Sequence, residues 1–272
     1  MRLEDAIQFV LDRFPFPGYM TPGSLRGGAY TTVANVALRY LPPGSTILDF
    51  GCGPCDKTAI LQRLGFRCSG YDDLQDAWHK NPETRETILR FTRECGVDFW
   101  LAQDGALPFA KHSFAMIMLS DVLEHLHDSP RNLLNDLLEL ATPQGLLCVT
   151  VPNAVNIRKR LDVLRGKTNL PPFASYYWYP GPWRGHVREY VRDDLTSLAE
   201  YLGLDVLELT ACDHLLEKVP GGLRLLYLAV TRLCPGWKDS WLLVARKRHG
   251  WEQRKSRPDP ELARLLAMPP TG

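Results

Sequence analysis

The chain has 272 residues, 45% of them hydrophobic, enough to bury one substantial core but too few for two full domains of similar size. Its 32 basic and 31 acidic side chains nearly cancel, which excludes a global field that would gather nucleic acid or other polyanions. Seven cysteines, mostly in apolar segments, argue against a disulfide scaffold, and the apolar run Leu225 to Val230 falls far short of the roughly 20 residues that span a membrane.

In chain order, residues 3–13 and 31–41 read as helices separated by a Pro/Gly-rich link from Pro15 to Gly28. We expect this 1–44 segment to form a helical cap over a binding site. From 45 to 151, short apolar runs alternate with amphipathic stretches, the pattern of parallel strands joined by crossover helices. The strands fall near 46–50, 67–71, 97–101, 114–119 and 145–151. A helix start at Asp128-Ser129-Pro130 leads into Leu133, Leu134, Leu137, Leu138 and Ala141 at helical spacing, a core stripe.

After Pro152 the alternation stops. Residues 153–190 carry a basic stretch, an aromatic cluster (Tyr176, Tyr177, Trp178, Tyr179, Trp183) and several prolines, and substrate selection is expected in this insertion. A helix near 192–202 and strands near 204–210 and 240–246 complete a main domain over 45–248, with leucine-rich Leu215 to Pro235 between those strands. Residues 249–272 read as a loosely held tail with a short helix at 260–267.

The chemistry begins at Ile47-Leu48-Asp49-Phe50-Gly51-Cys52-Gly53-Pro54, an apolar strand turning through two glycines into a helix at Asp56. Gly51 and Gly53 let the backbone turn tightly and approach a ligand, and the helix start offers free N–H groups. The second strand ends in Asp72 and Asp73, with Asp72 lying 19 residues beyond Gly53. At that spacing an acid reaches the neighbouring strand end and accepts from ribose hydroxyls, while Asp73 serves equally well as a helix cap. Asp104, before Gly105, can accept from an adenine amine or make an ordinary turn. Ser120 and Asp121 close the fourth strand at the same sheet edge, ahead of Val122-Leu123-Glu124-His125.

With these four sites in order, residues 45–152 resemble the class I S-adenosylmethionine-dependent methyltransferases. The resemblance implies a Rossmann-like, seven-stranded, mostly parallel sheet with helices on both faces and an antiparallel last strand. It also implies S-adenosylmethionine as cofactor, held by Asp49, Gly51, Cys52, Gly53, Asp72, Asp73, Asp104, Gly105, Ser120 and Asp121. Cys55 departs from the family pattern, which usually has glycine there. A further likeness through Val151-Pro152-Asn153, the stretch Asn156 to Lys167 and Gly185-His186-Val187-Arg188-Glu189-Tyr190 resembles methyltransferases of bacterial glycan or natural-product pathways. It suggests O-methylation of a sugar or related small-molecule hydroxyl.

His125 and His186 are the candidate general bases, since imidazole titrates near neutral pH, with packing beneath the site and a hinge contact as their respective alternatives. Tyr179, Trp183 and Arg188 are candidate acceptor contacts, although insertion aromatics often serve as anchors to the core. No metal is expected, because His125 and His127 are two apart without a further ligand cluster nearby. The basic stretch 158–167 reads as a solvated helix face or a phosphate contact. Leu223 to Leu233 reads as packing on its own sheet, or as docking to a membrane surface or second subunit.

Two rival functions remain. Cys52-Gly53-Pro54-Cys55 is also the active-site tetrapeptide of thioredoxin-like oxidoreductases. A methyltransferase-like subunit without catalysis, acting through a partner, is the other. The absence of a basic-then-apolar start and the unpaired thiols point to the cytoplasm. The acceptor, the methylated atom and the oligomeric state are not legible.

Overall fold

A seven-stranded sheet in the order β3-β2-β1-β4-β5-β7-β6 forms the centre of the computed structural model, which describes residues 1–21, 27–103 and 107–255. Its strands are β1 (Thr46–Phe50), β2 (Arg67–Asp72), β3 (Asp98–Leu101), β4 (Phe114–Ser120), β5 (Ala141–Pro152), β6 (Leu204–Cys212) and β7 (Ser240–Lys247). Strands β1 to β5 pair in parallel, and β7 runs antiparallel to both β5 and β6. The mostly parallel sheet and its reversed last strand therefore form as the sequence motifs implied.

Strict alternation along the central strands divides the core into two layers. Met116 and Met118 of β4 face one layer, whereas Ile117 and Leu119 face the other; β5 splits Leu146 and Cys148 from Leu147 and Val149 in the same way. A parallel strand covered on both faces must be apolar throughout, which is why Phe-Ala-Met-Ile-Met-Leu carries no charge. The first layer is closed by α1 (Leu3–Leu11), α2 (Ala29–Tyr40), α3 (Asp56–Arg63) and α4 (Pro82–Cys95), through residues such as Ile7, Val33, Ile60 and Phe91. The second is closed by α5 (Pro130–Leu140) and, past the insertion, a helix over Arg192–Tyr201, through Leu134, Leu138 and Leu195. Ser129 caps α5 ahead of Pro130, as the start signal predicts.

Three expectations change. Strand β5 begins at Ala141 rather than near 145, because Ala141 pairs with Phe114 across an irregularity in the β4–β5 register. Residues 249–255 are pinned rather than loose: Trp251 Nε1 donates to Leu202 O at 2.7 Å and Arg254 N to Asn135 Oδ1 at 2.6 Å. The helix expected at 260–267 lies outside the described residues.

The third change concerns the two leucine- and aromatic-rich segments. The insertion holds α6 (Ile157–Leu164) and α7 (Phe173–Tyr177), its ends joined where Asn153 bridges Tyr190. Phe173, Tyr176, Tyr177 and Trp178 are exposed and contact one another or Trp183, so this part of the cluster does not anchor the insertion to the core. With the Arg192–Tyr201 helix as α8, α9 (Gly221–Leu233) follows β6. Of its residues only Thr231 is buried, while Leu225 is 81% and Leu233 84% exposed, so packing of this leucine face on the sheet does not occur.

Candidate active site

Parallel strands deliver their C-terminal ends to one edge, and the site is built there. After β1 the backbone takes left-handed conformations at Gly51, with φ 72°, and Gly53, with φ 53°. A side chain on Gly51 would come within 2.6 Å of Val122 Cγ2, so the loop can lie against the β4 end only if that position is bare. Cys55 is also left-handed, with φ 63°, which accounts for the family's glycine at the position and makes the cysteine a strained substitute. Gly70 of β2 is needed for the same reason from the opposite side, because a Cβ there would meet Cys52 Sγ and Cys55 Sγ at 2.9 Å.

Asp72 is aimed by two backbone donors. Its Oδ2 accepts from Gly53 N at 2.8 Å and its Oδ1 from Leu74 N at 2.7 Å. Each carboxylate oxygen keeps further acceptor capacity, as ribose recognition requires. Asp49 lies deeper, accepting from Thr58 Oγ1 at 2.5 Å, and burial pushes its carboxyl up to about 7 against that hydroxyl's opposing pull.

These groups line a cleft of about 710 Å³. Asp49, Gly51, Cys52, Gly53, Asp72 and Asp73 reach it from β1 and β2, and Ser120, Asp121 and His125 from the β4 end. Asp104 and Gly105 lie outside the described residues. Tyr19 of the N-terminal segment also lines the cleft. Asp73 is held by the insertion: Arg184 donates to both its oxygens at 2.9 and 3.0 Å and to Asp76 Oδ1 at 2.7 Å.

Tyr179, Trp183 and Arg188 do not line the cleft. Arg188 instead pairs with Asp194 on the surface. Trp183 packs against Tyr179 and works through its backbone and ring edge: its carbonyl accepts from His127 Nε2 at 2.7 Å, and its Nε1 donates to His186 O at 3.3 Å. Trp183 thereby braces the His186 loop.

At the β4 end, Asp121 adopts a left-handed φ of 60° and lies 2.9 Å from Lys57 Nζ. Its Oδ1 is 3.6 Å from His214 Nδ1. Burial alone would raise the Asp121 carboxyl, but Lys57 and His214 hold it well below the usual range; burial opposes His214's charge, yet Asp121 pushes that imidazole up to about 10.

Just beyond, a 3₁₀ turn over Leu123–His125 carries Glu124 inward. Its carboxyl is fully buried, and burial followed by the nearby Asp121 charge pushes it up to about 8. The turn is locked to the insertion by Val187 N and Arg188 N, which donate to Glu124 O. His125 and His186 meet edge to face with ring centroids 4.9 Å apart, so the structure brings the two candidate bases together. Only His125 faces the cleft, with His186 behind it. Burial, then His125 and Lys159, push His186 down to about 4, so it is neutral near pH 7.

Sequence reasoning missed Lys57, Arg184 and His214, whose partners lie 64, 108 and 93 positions away; periodicity carries no signal for such pairs. Glu124 stood inside a recognised motif without a role. Lys159 is buried and paired with Glu189, so the basic stretch is not uniformly a solvated face. The thiols of Cys52 and Cys55 lie 3.3 Å apart, but burial pushes both up, opposite to the lowered pKa of an attacking redox thiol.

Residues 26–209 match the profile of the family described as "Methyltransferase domain". An uncharacterized methyltransferase of Mycobacterium sp. strain KMS is 31% identical over 184 residues, covering 66% of this chain and 56% of that protein. Another from strain JLS is 30% identical over 127 residues, 46% of each chain. The chain thus spans about half the length of these relatives. A SAM-dependent methyltransferase from Aquifex aeolicus has the same fold, with TM-score 0.53 and 13% identity over 91% of this chain and 100% of that one. Geranyl diphosphate C-methyltransferase from Streptomyces coelicolor, solved with Mg²⁺, geranyl-S-thiolodiphosphate and S-adenosyl-L-homocysteine, gives TM-score 0.51 and 13% identity over 80% and 76%. The chain belongs to the class I S-adenosylmethionine-dependent methyltransferases.

Proposed function

We propose that this chain methylates a hydroxyl oxygen of a sugar, glycan or related small molecule, with S-adenosylmethionine as methyl donor and the cytoplasm as its place of work. The observation that carries the reading is the His125–His186 pair beside a nucleoside-sized cleft under an insertion latched by Arg184. The cofactor fits the residues present. Asp72 presents an oriented carboxylate for ribose hydroxyls, and the left-handed turn at Gly51 and Gly53 carries the loop backbone along the cleft.

S-adenosylmethionine supplies a methyl group on a sulfonium, which leaves as a neutral thioether when the acceptor oxygen displaces it. The protein's work is placement and proton removal. Holding the reacting atoms near 3–3.5 Å in line is worth roughly 7–11 kcal/mol, and a positioned base adds about 10²–10⁴-fold. Nδ1 of His125 faces the carbonyl of Arg184 at 2.7 Å, so Nδ1 carries the proton and Nε2 keeps its lone pair for the acceptor. A sugar hydroxyl needs such a group, whereas an ionised carboxylate acceptor would not.

Exposed leucines on α9 and exposed aromatics on α7 support an acceptor carried on a lipid or approached at a membrane surface. Among the described residues no helix is long and apolar enough to cross a membrane.

The test is transfer of labelled methyl from S-adenosylmethionine to a panel of nucleotide sugars and lipid-linked glycans, with the methylated atom located by NMR. An O-methyl product supports the reading; label recovered on nitrogen or carbon overturns it. Calorimetric cofactor binding without any product would favour the non-catalytic subunit.

A further inference from the structure

Three side chains from two distant parts of the chain converge at the wall of the cleft. One ligand atom from each of Glu124, His125 and His186 lies within 4.8 Å of the others. Glu124 is 0% exposed, and neither carboxylate oxygen has a hydrogen-bond partner among the described residues. A buried carboxylate without a donor is costly unless something positive or protic satisfies it.

The two imidazoles are prepared in a matching way. His125 Nδ1 lies 2.7 Å from Arg184 O, and His186 Nδ1 lies 2.8 Å from Glu189 Oε1. Both partners are acceptors, so each Nδ1 bears the proton and each Nε2 is left as an unprotonated donor atom. Glu189 is fixed in turn by the buried Lys159. A carboxylate or carbonyl behind each ring is the arrangement that sets tautomer and orientation in metal-binding histidines.

We propose that Glu124, His125 and His186 form a binding site for a divalent first-row transition ion such as Zn²⁺, Mn²⁺ or Fe²⁺. Two nitrogens and one oxygen select such an ion over Mg²⁺ or Ca²⁺, which prefer oxygen ligands throughout. Bonds of about 2.0–2.2 Å set neighbouring ligand atoms roughly 3–3.5 Å apart, so the three side chains close inward by roughly an ångström around the ion.

Three protein ligands leave coordination positions open, the mark of a catalytic rather than a structural site. His125 lines the cleft, so those positions face the acceptor. Resting on the methyl-transfer reading above, this refines the role of the histidine pair: the Nε2 lone pairs hold an ion, and the ion holds the acceptor hydroxyl. The bound hydroxyl loses its proton to water at the cleft mouth, its oxygen takes the methyl, and the C–S electron pair stays on sulfur.

The sequence expectation of no metal considered His125 with His127 and missed the ligand supplied by the insertion. Asp121 is not a fourth ligand, because Lys57 and His214 already engage it.

The experiment uses untagged full-length protein, stripped with chelator and titrated with Co²⁺ and Zn²⁺ by absorption and calorimetry, with S-adenosylhomocysteine binding measured on the same samples. One ion per chain is expected. Glu124→Gln and His186→Asn should each weaken it at least tenfold, and Glu189→Gln should weaken it by about tenfold through His186. His249→Ala, on the exposed surface, should leave it unchanged.

No stoichiometric ion, or equal affinity in all variants, overturns the proposal. If S-adenosylhomocysteine binds and no ion does, the ion site alone fails; if the ion binds and S-adenosylhomocysteine does not, the methyl-transfer reading fails instead. Should Glu124→Gln lose its native circular dichroism, His186→Asn and Glu189→Gln decide the outcome.

Discussion

The two walls of the cleft are built on different principles. On the β1–β2 side, the wall is a backbone turn and the carboxylate it aims: the Gly51–Gly53 turn, its amide on Asp72 and the bare Gly70 behind it all come from two adjacent strands. On the β4 side it is made by side chains gathered from far apart, with Glu124 and His125 meeting His186 and Arg184 from the insertion. The first wall is fixed once the sheet forms. The second takes His186 and Arg184 from residues 153–190, the kind of loop segment that commonly carries specificity.

The strongest way to separate the walls is Asp72→Ala. It removes the proposed ribose acceptor and leaves the Gly53 and Leu74 amides without their partner, so S-adenosylhomocysteine affinity should fall by about 100-fold, near 3 kcal/mol. Calorimetry reads this directly. Retained affinity would mean that the Asp72 carboxylate does not hold the nucleoside.

Gly70→Ala tests the same wall by volume. Its Cβ would sit 2.9 Å from two buried sulfurs, an overpacking worth about 1–3 kcal/mol of stability in urea denaturation. Adding Cys52→Ala should recover part of that loss. An unchanged midpoint in the single variant would show that the loop is loosely seated.

The same contrast explains what the sequence could disclose. Strand positions, the Asp72 spacing and the β4 end were legible because they rest on short periods and on one βαβ unit. The pairing of Arg184 with Asp73 and Asp76 was not, because it joins positions over a hundred residues apart through long side chains. Burial of the α9 leucines was expected from composition alone; hydrophobicity requires a partner surface, and the sheet face was already taken by other helices. Tyr179, Trp183 and Arg188 were named for residue type, which does not say where the insertion's loop places them, and none of the three lines the cleft.

His214 lies where the walls meet, and its behaviour with pH sharpens the comparison. Its folded-state pKa is raised from 6.5 to about 10 by Asp121, so its stabilisation is complete below about 6.5 and disappears as pH rises through about 10. His214→Gln should cost about 2 kcal/mol at pH 6 and little at pH 11. Equal losses at both would mean that packing, not charge, explains the residue.

The smallest effect belongs to the insertion's latch. Arg184 is about one third exposed and its acidic partners more so, which limits the stability effect of Arg184→Ala to roughly 0.5–1 kcal/mol. Its influence on function should be larger than its influence on folding, because Arg184 O also orients His125 through a loop that the guanidinium tethers to the cofactor wall. Turnover should fall several-fold while S-adenosylhomocysteine affinity falls less, measured as a split between kcat and cofactor KM. The reverse split would place Arg184 among the groups that hold the nucleoside, and would assign the insertion to the first wall rather than the second.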